Sequence, residues 1–146
     1  MSSSEEEYAP SPTGWVREAV EKMVEAGDTS VGGFNGMNVV LMTMRGAKSG
    51  KIRKVPVMRV EHDGVYAAVA SLGGAPKNPV WYYNLKADPK VQLQDGTTTR
   101  EYVAREIEGE EYDLWWKRSV AAYPDYAEYQ KKTTRIIPQF VLEPAN

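Results

Sequence analysis

The chain has 146 residues, 42% hydrophobic and 26% charged, with 18 basic side chains against 20 acidic and a net charge of −2. That length can bury a real core as one domain, and the charge balance argues against a nucleic-acid partner. With no cysteine and a single histidine, His62 in a His-Asp-Gly turn, the chain excludes disulfides and thiolate sites and argues against a metal centre or a Ser-His-Asp triad.

Residues 1–12, rich in Ser, Glu and Pro, read as a disordered tail, and 13–146 as a single domain. The acidic start Glu5-Glu6-Glu7 argues against a secretory signal, and no run reaches the length of a membrane span, so a cytoplasmic protein is expected. From Thr13 to about Ala26, Trp15, Ala19, Val20, Met23 and Val24 recur at helical spacing, and Gly27 can end that helix. It packs on the domain by default. Covering a ligand and weak contact with the inner face of the membrane are the other readings, the latter weakened by Glu18, Glu21 and Glu25. Gly32, Gly33 and Gly36 then make a flexible connection.

Met37 to Arg45 reads as a buried strand, followed by a basic turn and a second strand from about Ile52 to Glu61. Pro56 within that strand implies an edge or a bulge. Asp63-Gly64 marks a hairpin into a third strand, Val65 to Ala70. A glycine loop leads to a helix over about 79–87, broken by Asp88-Pro89. A fourth strand holds Val91 and Leu93, Asp95-Gly96 turns, and Thr98 to Ile107 forms the fifth. Glu110 to Ala122 is helical with Leu114, Trp115, Ala121 and Ala122 inward, and Pro124 opens a short helix to about Lys132. Ile136 to Leu142 supplies a sixth strand with an edge or bend at Pro138. Six strands, three joined by short hairpins, predict an α+β fold, mainly β: an antiparallel barrel or strongly curled sheet flanked by helices.

Three constellations stand out. In Ser71-Leu72-Gly73-Gly74-Ala75-Pro76-Lys77-Asn78-Pro79, glycines permit close backbone approach, Asn78 is placed to cap the next helix, and Pro79 suits its first position. Trp81, Tyr82 and Asn84 follow, so the segment either receives a flat, phosphate-bearing ligand or only punctuates the fold. Between Arg45 and Pro56 lie five cations, Arg45, Lys48, Lys51, Arg53 and Lys54, around Gly46 and Gly50. They can clamp a phosphate or keep a sheet edge soluble, and the P-loop spacing is absent. Tyr123, Tyr126 and Tyr129, spaced by three, are placed on one helical face, where they line a pocket mouth or cap the core. Four Trp and nine Tyr against two Phe favour a binding cavity.

Lys48-Ser49-Gly50 with Arg53 and Pro56, Ala70-Ser71-x-Gly73-Gly74, Lys77-Asn78-Pro79-x-Trp81-Tyr82-x-Asn84-Leu85 and Asp88-Pro89-x-Val91 together resemble the deazaflavin-dependent nitroreductase family. These are the coenzyme F420-dependent quinone and nitro reductases of actinobacteria, and the likeness runs from about Met37 to Pro144. The resemblance implies a split β-barrel and hydride transfer from reduced F420 to a quinone or nitroaromatic acceptor. It places Lys48, Ser49, Gly50, Lys51 and Arg53 at the cofactor's phosphate and Pro56, Val57 and Met58 at its rings. Ala70, Ser71, Leu72, Gly73, Asn78, Trp81 and Asn84 border it. Tyr123, Tyr126, Tyr129, Met58 and Trp15 fall on the substrate side, with Tyr126 and Ser71 as the hydrogen-bonding catalytic candidates and no metal. Leu72 and Met58 stand where a prodrug-activating relative has a lysine and a tyrosine, which favours quinones over nitroimidazoles. An FMN-dependent split-barrel oxidoreductase and a non-catalytic F420 carrier are the alternative readings.

Overall fold

The computed structural model describes residues 14–32 and 38–145, and the Trp15 side chain lies outside that description. The expectations of a tail over 1–12 and of a flexible connection through Gly33 and Gly36 also lie outside the described residues.

The helices are α1 (Gly14–Ala26), α2 (Val80–Ala87), α3 (Gly109–Ala122) and α4 (Asp125–Lys131). The strands are β1 (Val39–Arg45), β2 (Ile52–Met58), β3 (Glu61–His62), β4 (Val65–Val69), β5 (Lys90–Asp95), β6 (Thr98–Glu106) and β7 (Gln139–Pro144). All seven join one sheet in the order β2-β1-β5-β6-β7-β4-β3, with every pairing antiparallel. The sheet curls until β2, at one edge, meets β4 near the other. This is the expected split-barrel architecture, with a seam between those two strands.

Alternation along the strands fills the interior. Val40, Met42 and Met44 of β1 join Tyr66, Ala68, Val91, Leu93, Tyr102, Ala104, Phe140 and Leu142 in the main core. The opposite face of β1 offers Val39 and Leu41 to Val20 and Met23 of α1, so β1 is buried on both sides and reads as a continuous apolar run. The α1 helix ends as its glycine predicts: Gly27, at φ +64°, and Asp28 donate back to the carbonyls of Val24 and Met23. Val24, however, points to solvent. Among the described residues no helix is long and apolar enough to cross a membrane.

Three local expectations change. The second strand breaks after Met58, leaving the two-residue β3 as a seventh strand, while Pro56 sits on the edge strand β2 as its missing N–H requires. The last strand begins at Gln139, because Pro138 cannot donate to a ladder; its carbonyl accepts from the Ala70 amide at 2.9 Å. On α3, Leu114 and Ala121 face outward and Trp115 and Ser119 inward. Its rotation follows a buried polar pair: Ser119 Oγ donates to Gln139 Oε1 at 2.9 Å, and Gln139 Nε2 to the Tyr112 carbonyl at 3.0 Å. Both side chains are fully buried, so each needs its partner.

Candidate functional site

The strands β1 and β4 run in the same direction, because three antiparallel neighbours separate them. The basic turn that follows β1 and the glycine loop that follows β4 therefore emerge at one end of the sheet. A hydrogen bond ties the two regions: the Ala47 amide donates to Asn84 Oδ1 of α2 at 2.9 Å. Asn84 is buried, so this side chain fixes the turn from below rather than facing an opening.

Within the turn, the amides of Gly46, Gly50 and Lys51 are held by Lys51 O, Gly46 O and Ser49 Oγ. A Cβ on Gly46 would lie 2.9 Å from Ser49 Oγ, so the Ser49 hydroxyl that accepts the Lys51 amide would have to shift. The turn is therefore closed by its own backbone and presents side chains rather than these amides. Lys48 is exposed, Arg53 half-buried, and neither pairs with a carboxylate among the described residues. Half-buried Lys54 donates to Thr43 Oγ1 at 3.1 Å, and its desolvation pulls the ammonium pKa below the usual value. Lys48 and Arg53 thus leave positive charge at this end of the sheet with no carboxylate partner among the described residues.

The glycine loop departs further from its local reading. Pro79, not Asn78, occupies the position before α2, and no side chain caps that helix. Asn78 Oδ1 instead accepts from Arg135 Nη1 at 2.7 Å. The same guanidinium reaches the carbonyls of Ala70, Ser71 and Ala75 at 3.2, 2.8 and 2.9 Å. Leu72, Gly73 and Gly74 all have positive φ, at 45°, 64° and 84°. The two glycines serve different ends: beside Gly73 there is open space, whereas a Cβ on Gly74 would lie 2.7 Å from the Tyr129 carbonyl. Gly73 leaves the backbone approachable, and Gly74 lets the loop dock on α4. Trp81 lies in the core against Phe140, at 6.0 Å between ring centroids.

The three tyrosines cluster, although not on one helix. Tyr123 closes α3, while Tyr126 and Tyr129 belong to α4. Their ring centroids lie 5.0 to 6.3 Å apart, and the Tyr123 and Tyr129 hydroxyls share a 3.0 Å hydrogen bond. Val69, Ile137, Trp116 and Met58 pack against them, and Met58 also touches the α1 cluster. Burial raises the Tyr123 and Tyr126 pKa values well above 10, so both hydroxyls are protonated at neutral pH. Tyr126 OH makes no hydrogen bond among the described residues.

The glycine loop thus packs on the tyrosine helix α4 and the basic turn on α2, while Tyr123 and Tyr126 themselves are buried. Ser71 is buried at the start of the loop, with its side chain free of any cap bond. A separate cleft at the opposite end of the sheet is lined by Asp63, Tyr66, Asp95, Arg100 and Tyr102 and holds none of the sequence candidates. Asp95 there accepts from both Arg59 Nε and Tyr66 OH, which satisfies its charge within the fold. His62 stays at the surface, 3.3 Å from the Asp63 carboxylate. Sequence reasoning missed Arg135 and Gln130; a lone arginine in Thr-Thr-Arg-Ile-Ile carries no local pattern that assigns it to a loop 60 residues upstream.

Comparison with known proteins identifies the family. The model of the family described as F420H(2)-dependent quinone reductase matches residues 15–144. An F420H(2)-dependent quinone reductase of Mycobacterium tuberculosis is 33% identical over 106 residues, covering 70% of this chain and 71% of that protein. A solved structure of an F420-H2 dependent reductase, FDR-A, shares 59% identity with a TM-score of 0.69, over 72% of this chain and 93% of that one. A second, described as a domain-swapped dimer, shares 56% identity with a TM-score of 0.72, over 91% and 100% of the two chains. The chain belongs to the F420H(2)-dependent quinone reductase family.

Proposed function

We propose that this chain is an oxidoreductase that passes a hydride from reduced coenzyme F420 to a quinone. The observation that carries the reading is the pair of cations Lys48 and Arg53, without a carboxylate partner among the described residues, at the head of an edge strand that is half-exposed along its whole length. Seven residues of β2, at about 3.3 Å each, carry that strand roughly 20 Å from the basic turn to Met58 and the tyrosines. Such a track fits a long ligand with an anionic end and a flat, apolar end. Family membership supports deazaflavin over FMN and catalysis over carriage.

Bound F420 supplies the two-electron hydride chemistry itself. The chain's own residues bind and orient. Lys48 and Arg53 hold the phosphate, with Ser49, Gly50 and Lys51 shaping the turn. Pro56, Val57 and Met58 wall the ring end, and Ala70, Ser71, Leu72, Gly73 and Asn78 border it from the glycine loop. Trp81 and Asn84 support this border from the interior. Tyr123 and Tyr129 brace each other through their hydroxyl bond, which leaves Tyr126 OH as the donor to an acceptor oxygen on which negative charge develops. Ser71 is the second donor, and Trp15 belongs to the same side by family likeness.

The test is a pair of titrations, oxidised F420 and FMN, on wild type and Arg53→Ala, followed by anaerobic oxidation of F420H2 with a soluble naphthoquinone. F420 should bind more tightly than FMN. Loss of one charge-assisted contact, about 1.5–3 kcal/mol, should weaken F420 roughly 10- to 150-fold without moving the melting point. Preference for FMN would place the chain with flavin enzymes, and tight F420 binding without quinone turnover would make it a carrier.

A further inference from the structure

We propose that Arg135 is a positioning residue whose guanidinium holds the Ala70–Asn78 loop in its cofactor-binding shape and locks it to the tyrosine helix α4. The inference rests on the functional reading above for its consequence, and on geometry alone for its cause.

All the loop acceptors that Arg135 meets are neutral: three backbone carbonyls and the Asn78 amide oxygen, at 2.7 to 3.2 Å. No carboxylate pairs with it among the described residues. Gathering carbonyls from both ends of one loop requires a planar fork with several donors, which a lysine ammonium lacks. The loop needs such a clamp. Gly73 and Gly74 take positive φ freely, but the non-glycine Leu72, at φ 45°, holds its left-handed conformation only because its surroundings impose it.

Arg135 is itself held in place. Gln130 of α4 donates Nε2 to the Arg135 carbonyl at 2.7 Å and accepts the Ile137 amide through Oε1 at 3.0 Å. Gln130 follows Tyr129, whose carbonyl is the atom Gly74 packs against. The helix that carries the acceptor-side tyrosines therefore positions the arginine, and the arginine positions the cofactor-side loop. One mechanical unit joins the two halves of the site, although Arg135 touches neither ligand in this account.

Hydrogen exchange on the ligand-free full chain reads the clamp directly, at the Gly74 and Ala75 amides that bond to Ser71 O and Leu72 O. In Arg135→Ala these two amides should exchange at least tenfold faster while the Leu93 amide in β5 keeps its rate, and F420 affinity should fall at least tenfold. Arg135→Lys, which keeps the charge without the fork, should show the same local acceleration. If Arg135→Ala does not fold, the lysine variant decides by the same two amides. Wild-type exchange in either folded variant, full recovery by lysine, or uniform acceleration across the sheet would overturn the proposal. Because the exchange is measured without cofactor, failure of wild type to bind F420 would refute the functional reading and leave this test standing.

Discussion

Tyr126 has a buried ring and a hydroxyl that bonds to nothing among the described residues, whereas its two neighbours bond to each other. Removing that oxygen leaves no partner unsatisfied, so Tyr126→Phe should be neutral in stability or slightly favourable. If the hydroxyl serves the acceptor, turnover should fall about tenfold or more, within the range of a single hydrogen-bond donor, at unchanged F420 affinity. Steady-state kinetics beside an F420 titration checks this, and wild-type turnover would remove Tyr126 from the mechanism. Asn78 teaches the opposite lesson about single residues. Its place before Pro79 obeys the rules for a helix cap, yet the charged guanidinium of Arg135 takes its oxygen. A local preference worth about 1 kcal/mol yields to a charge-assisted bond worth about 1.5–3 kcal/mol.

At the level of elements, the glycine loop shows why adjacent glycines are not equivalent. Gly74→Ala adds a carbon 2.7 Å from a backbone oxygen at φ +84°, so both strain and collision oppose it. Gly73→Ala meets open space and costs only the left-handed conformation, about 1–2 kcal/mol. Melting should therefore fall markedly more for Gly74→Ala than for Gly73→Ala; equal losses would mean that the loop does not dock on α4. Sequence exposes the glycines and leaves this difference hidden, because which one meets a neighbour depends on where α4 lies. The inward stripe of α3 was hidden for a related reason. Ser119 and Gln139 bury polar atoms against each other, and hydropathy assigns such residues to the surface.

For the whole molecule, tyrosine burial links stability to pH. Tyr66, Tyr123 and Tyr126 have pKa values raised by burial, and Tyr112 is pushed up to about 12. The folded state thus holds these protons more tightly than the unfolded chain, whose tyrosines titrate near 10. Their contribution is complete below pH 10 and is lost as pH rises through the folded values. The melting midpoint should hold steady between pH 8 and 9.5 with respect to these groups and decline from pH 10 to 12, in step with tyrosinate absorbance. Native-state titration of these four tyrosines near pH 10, followed residue by residue by NMR before any melting, would contradict the burial.

The order of the four helices and of six of the seven strands, the antiparallel curled sheet, an edge or bulge at Pro56 and the family were readable in the sequence. They rest on periodicity, turn chemistry and motif order, which are properties of neighbouring residues. Tertiary structure alone decided that Arg135 grips the glycine loop, that Asn84 secures the basic turn, and that Tyr123 joins its partners from another element. Those contacts span 37 to 65 residues of sequence, or cross the joint between two helices, and depend on strand order and on buried polar atoms finding partners.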